Sequence, residues 1–179
     1  MRLQVLLAAL PTALLLPAVH AVFIDDAFRT DYHIPLVGFP RHDTTFFHQP
    51  FAESKASLIY TLSERNVLAA VNPKDGELVW RQALHGNGSE GFLRAGDGQD
   101  TVLSGKGDQV AAWSATDGKL AWSTTFGTPL VDLEILEMQD GAAAKGVKDA
   151  LALSGGENAV VRRLDGETGA VKWEFTDNR

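Results

Sequence analysis

The chain has 179 residues, 45% of them hydrophobic and 22% charged, with a formal net charge of −7 at pH 7. That is enough polypeptide for one domain with a real core, and the acidic balance with scattered Lys and Arg excludes the clustered basic face a nucleic-acid partner requires. Cysteine is absent, which excludes disulfides, thiolate nucleophiles and Cys-ligated metal sites together.

The chain opens on a secretory pattern. Arg2 is a short basic region, and Leu3 to Leu16 is apolar except for Gln4, Pro11 and Thr12. Pro17 and the small residues Val19 and Ala21 then provide the extended chain a signal peptidase needs, so cleavage is expected between Ala21 and Val22. The apolar run is shorter than the ~20 residues of a spanning helix. No later segment is apolar enough to span, so the mature chain is expected to carry no membrane span of its own. Residues 1–21 are thus read as a signal peptide, 22–56 as an N-terminal segment, and 57–179 as the folded array.

From Ser57 onward β-rich runs alternate with polar turns, and almost nothing has a helical period. Ser57 to Leu62 reads as a strand, followed by the unit Val67 to Trp80, whose turn Asn72-Pro-Lys-Asp-Gly76 closes a hairpin. Asn87-Gly-Ser89 is a glycosylation acceptor in a loop between units. Phe92 to Ala95 and Thr101 to Ser104 read as strands around the turn Asp97-Gly-Gln-Asp100. Ser104-Gly-Lys-Gly-Asp108 is read as a turn, because it lacks the upstream glycine and the following hydroxyl of a phosphate-binding loop. Val110 to Trp122 repeats the hairpin with the turn Ser114 to Gly118. Val131 to Met138 adds a strand, Asp140 to Lys148 a long loop, and Ala150 to Ser154 another strand. Val160 to Trp173 closes the series with the turn Asp165 to Gly169.

Two features recur in register in three units. Gly76, Gly118 and Gly169 end the turns, and Trp80, Trp122 and Trp173 follow each glycine four residues later. The tryptophans lie 42 and 51 residues apart, a spacing of one propeller blade per unit with a longer loop in the last. An indole at one fixed position can bridge from its own blade to the next and cover backbone there. The expected fold is therefore all-β: a partial β-propeller of about three blades preceded by a signal peptide.

Apolar strand, Asp/Thr-Gly turn and Trp resemble the quinoprotein, or pyrroloquinoline-quinone-type, propeller repeat. Val22 to Asp26, Asp31 to Gly38 and Ser54 to Gln82 resemble the mature N-terminus of the family of first subunits of the endoplasmic reticulum membrane protein complex, in a form like that of filamentous fungi. The resemblance implies a non-enzymatic scaffold in the lumen of the endoplasmic reticulum, held to other subunits of a membrane-embedded complex that inserts and folds membrane proteins. It also implies that the chain is a fragment or a truncated gene product, because the family is far longer and ends in a transmembrane helix.

The residues offer no catalytic constellation. His33, His42, His48 and His85 lack the pairing of a metal site and are read as exposed or hydrogen-bonded surface histidines. Asp97 to Asp100 lacks the ligands of a full calcium loop, and no serine sits in Gly-x-Ser-x-Gly. Neither cofactor nor metal is expected. The alternatives are a secreted quinoprotein-like dehydrogenase and a free-standing extracellular binding propeller.

Overall fold

A computed structural model describes residues 36–50, 57–86, 91–136, 148–156 and 158–176. The signal peptide with Ala21 and Val22, the glycosylation acceptor at Asn87, His33, and most of the loop from Asp140 lie outside these residues. The described residues fall within the unit Tyr32–Arg179.

Twelve strands are described, and they form three four-stranded antiparallel sheets in strict chain order. The first holds β1 (Pro40–His48), β2 (Leu58–Ser63), β3 (Val67–Val71) and β4 (Leu78–Ala83). The second holds β5 (Gly91–Arg94), β6 (Thr101–Lys106), β7 (Gln109–Ser114) and β8 (Leu120–Thr125). The third holds β9 (Leu130–Ile135), β10 (Ala150–Ser154), β11 (Val160–Leu164) and β12 (Val171–Thr176). A four-stranded meander repeated along the chain is the blade unit that the tryptophan spacing predicts. The first strands of successive blades lie side by side, β1 against β5 and β5 against β9.

The first blade reaches further upstream than the sequence suggests. Pro40–His48, within the segment read as leading into the array, is its first strand and pairs antiparallel with β2, Phe46 opposite Tyr60 and Phe47 opposite Ile59. Polar anchors hold it there: the buried Thr44 hydroxyl donates to the Leu62 carbonyl (2.8 Å), and Thr45 bonds Thr61 across the pair (2.7 Å). The reading of Ser104 to Asp108 as a turn is also corrected. Ser104, Gly105 and Lys106 belong to β6, and only Gly107 and Asp108 turn the chain into β7. Gly105 fits the strand because Leu130, Phe92 and Leu133 crowd its α-carbon; an added Cβ would lie 3.2 to 3.4 Å from them.

The hairpins that carry the repeat are built alike. Gly76, Gly118 and Gly169 have φ of +73°, +68° and +71°, the left-handed region that glycine enters without steric cost. Their N–H groups donate to the carbonyls of Asn72, Ser114 and Asp165, four residues back. Side-chain oxygens cap the same turns: Asn72 Oδ1 accepts from Lys74 N, and Asp165 Oδ1 from Glu167 N and Thr168 N. Each hairpin shifts register at the same place, between Ala70 and Val71, Ala112 and Trp113, and Arg163 and Leu164. The core lies between blades. One cluster joins Tyr60, Leu62, Leu68 and Trp80 of the first blade to Leu93, Val102 and Ala115 of the second. The other joins Leu103, Val110, Ala112 and Trp122 of the second to Leu133, Ala150, Ala152 and Leu164 of the third.

Candidate functional site

The repeat residues meet across the blade boundaries. Trp80 leaves β4 and crosses to the β7–β8 turn, where its Nε1 donates to the carbonyl of Ala115 at 2.8 Å. The Tyr60 hydroxyl donates to the same carbonyl at 2.9 Å, so one oxygen uses both lone pairs. Burial raises the Tyr60 pKa well above its ordinary value, which keeps the phenol a donor. Beneath the indole lies Gly118, where an added Cβ would sit 2.6 Å from the Trp80 ring. Gln82, two residues beyond the tryptophan, donates to the Gly118 carbonyl at 2.9 Å.

The second boundary repeats the first. Trp122 Nε1 donates to the Gly166 carbonyl at 2.8 Å, and Thr124, again two residues on, donates to the Gly169 carbonyl at 2.7 Å. A side chain at Gly169 would intrude on the Trp122 ring. Each seam therefore has three parts: an indole, a glycine beneath it, and a polar side chain that ties the glycine carbonyl. Both indoles are 7% exposed. Removing such a side chain typically costs about 3–5 kcal/mol.

Gly76 and Trp173 have no such counterpart among the described residues. Nothing lies within 4 Å of a Cβ built on Gly76, and Trp173 is 45% exposed, with Phe175, two residues on along β12, also exposed.

The third blade carries an ionic knot that the sequence does not announce. Asp149 is buried; it accepts from Lys172 Nζ at 2.8 and 2.9 Å, from Arg163 Nε at 2.7 Å and from the Gly166 N–H at 3.2 Å. Burial pushes the Asp149 carboxyl up, but these donors outweigh it and hold the group below the usual range. Lys172 also pairs with Asp165 at 2.9 Å and draws that carboxyl down to about 2. The knot fixes the turn that supplies the Gly166 carbonyl to Trp122.

The histidines are dispersed. His42 and His85 are exposed. The reading of His48 as a surface residue is corrected: it is buried at the edge of the first core cluster, edge-on to Tyr60, with Nε2 2.8 Å from the Gln99 carbonyl. Gln99, inside the turn read at Asp97 to Asp100, is itself buried, accepting from Gly96 N and donating to the Lys148 carbonyl. Among the described residues no three His, Cys, Asp or Glu converge as a metal site. The fourth tryptophan, Trp113, is off the repeat position and donates to Ser104 Oγ within its own blade at 2.8 Å.

The indoles of Trp80 and Trp122 are thus engaged in packing between blades, and comparison with known proteins gives the chain its family. The model of the EMC1 N-terminal beta-propeller domain matches residues 21–178. The chain belongs to this EMC1 N-terminal β-propeller family. ER membrane protein complex subunit 1 of Gallus gallus is 33% identical over 119 residues, 65% of the chain and 12% of the relative. The subunit of that name from Schizosaccharomyces pombe is 27% identical over 100 residues, 56% of the chain and 10% of the relative. The chain thus spans about a tenth of the curated relatives of that name. Among solved structures, the dihydro-heme d1 dehydrogenase NirN in complex with DHE superposes with a TM-score of 0.63 at 14% identity, over 82% of the chain and 30% of that structure. A likeness at that identity is one of fold, and the EMC1 propeller has a dehydrogenase's blades without thereby having its chemistry.

Proposed function

We propose that this chain is a lumenal, non-enzymatic scaffold segment of an endoplasmic reticulum membrane protein complex, supporting the insertion and folding of membrane proteins. The family match across residues 21–178 carries the proposal. The seams support it: Trp80, Trp122 and Tyr60 are consumed in holding one blade to the next, which suits a rigid platform read by partners at its edges and loops. No described helix is long and apolar enough to cross a membrane. The secretory pattern ending at Ala21 would deliver the segment to the lumen, where Asn87 could receive a glycan.

The test is deletion of residues 22–179 from the full-length gene product. The reading expects reduced complex assembly and lower steady-state levels of polytopic and tail-anchored membrane proteins, with a protease-protected N-terminal epitope in sealed microsomes. Unchanged assembly and client levels, or an epitope cut by protease added outside, would refute it.

A further inference from the structure

The turns that receive the two indoles are anchored in the same way. In the second blade the carbonyl of Asp100, the residue before β6, accepts from the Ala115 N–H at 2.8 Å, and the Ala115 carbonyl receives Trp80 at 2.8 Å. In the third blade the carboxylate of Asp149, the residue before β10, accepts from the Gly166 N–H at 3.2 Å, and the Gly166 carbonyl receives Trp122 at 2.8 Å. Each receiving residue thus takes an indole on its carbonyl and is tied through its N–H to the start of its blade's second strand.

Gln99 joins the two anchors. It precedes Asp100, is 1% exposed, and its Nε2 donates to the carbonyl of Lys148, the residue before Asp149, at 3.2 Å. Its Oε1 accepts from the Gly96 N–H at 2.8 Å, which fixes the amide in that orientation. Its own carbonyl faces His48 Nε2 at 2.8 Å; a carbonyl only accepts, so that nitrogen carries the proton. One buried residue therefore bonds to all three blades. The junction is tight as well: a Cβ on Gly96 would lie 2.7 Å from Gln99 Oε1 and 2.9 Å from Lys148 Cδ.

We propose that Gln99 couples the two seams, so that loosening the Trp80 seam between the first and second blades loosens the Trp122 seam between the second and third. The route is continuous: Trp80 to Ala115, then Asp100 and Gln99, across to Lys148 and Asp149, and on to Gly166 and Trp122. At Gln99 and Asp149, both buried, water does not replace a lost partner, so displacement of one bond is passed to the next. A pull on the first blade is in this way felt two blades away. Contact along a path is not itself coupling, and exchange and a thermodynamic cycle measure it.

Hydrogen exchange of the purified chain, read by mass spectrometry on peptides covering the Asp165–Gly169 turn, tests the proposal. Tyr60→Phe deletes one donor to the Ala115 carbonyl and keeps the ring in the core. It should raise exchange around Gly166 at least about threefold, the lower range of coupling between connected groups, while amides of β6 and β7 stay unchanged and so exclude global unfolding. In a Gln99→Met background, which makes no side-chain bond to Lys148, adding Tyr60→Phe should leave exchange around Gly166 where Gln99→Met alone puts it. A urea cycle on Trp80→Phe and Trp122→Phe reads the coupling without changing Gln99. The double variant should be destabilised less than the sum of the single ones, by at least about threefold in the unfolding constant. Exchange around Gly166 unmoved by Tyr60→Phe, a rise matched in β6 and β7, a rise that persists in full with Gln99→Met, or strict additivity of the two tryptophan substitutions would each overturn the proposal.

Discussion

Adding one methyl group to two equivalent glycines separates the seam from the turn that carries it. Gly118 and Gly76 have nearly equal φ, +68° and +73°, so alanine at either position pays the same left-handed strain, about 1–2 kcal/mol. They differ in what the methyl meets: the Trp80 ring at 2.6 Å above Gly118, and nothing within 4 Å above Gly76. Forcing the ring aside adds an overpacking cost of about 1–3 kcal/mol and pulls its Nε1 from the Ala115 carbonyl. Gly118→Ala should therefore be less stable than Gly76→Ala by about 1–3 kcal/mol. With a urea slope of ~2 kcal/mol/M for a small domain, the midpoints differ by about 0.5–1.5 M. Urea unfolding followed by tryptophan emission reads the difference. Equal midpoints for the two variants would refute the claim that the glycine is there to receive the indole.

Trp80→Ala should cost about 3–5 kcal/mol, whereas Trp173→Ala, removing a half-exposed ring, should cost under about 2 kcal/mol in the monomer; thermal melts of both report the ordering. Asp149→Asn keeps the shape but removes the charge facing Lys172 and Arg163, both over a third exposed, and should destabilise by about 1–3 kcal/mol in chemical denaturation. The pH dependence has a fixed sign. Asp165 is depressed from 3.8 to about 2, so its contribution is fully present above pH ~4 and is lost as the pH falls towards 2; Asp165→Asn should flatten the urea midpoint across that window. In a secreting host, intact-mass analysis should find Val22 at the N-terminus and a glycosidase-sensitive increment that Asn87→Gln removes.

The outer hairpins were legible because their chemistry is local. A turn closing on a positive-φ glycine, followed at fixed distance by tryptophan, is written in consecutive residues. The first strand was not. Pro40–His48 shows little apolar alternation because most of its side chains are exposed or half-buried, and its anchorage depends on Thr44 and Thr45 bonding to β2. Gly105 reads as a turn residue because glycine weakens most strands, while here it makes room for three side chains of neighbouring strands. The buried Gln99 and Asp149 were invisible for a similar reason. Gln99 reaches a carbonyl 49 residues away, and Asp149 gathers partners 14 to 23 residues downstream. Gln82 and Thr124 share a signal that could have been found: both stand two residues beyond a repeat tryptophan, on the same face of the strand.

The most direct measurement is affinity purification of the full-length protein, tagged in its own host, from detergent-solubilised microsomes. The scaffold reading predicts recovery in fixed proportion with several other membrane-complex subunits, and a marked loss of that recovery on Trp80→Ala, which opens the first seam. Recovery of the protein without companions, or with a bound quinone that supports dye reduction, would contradict it.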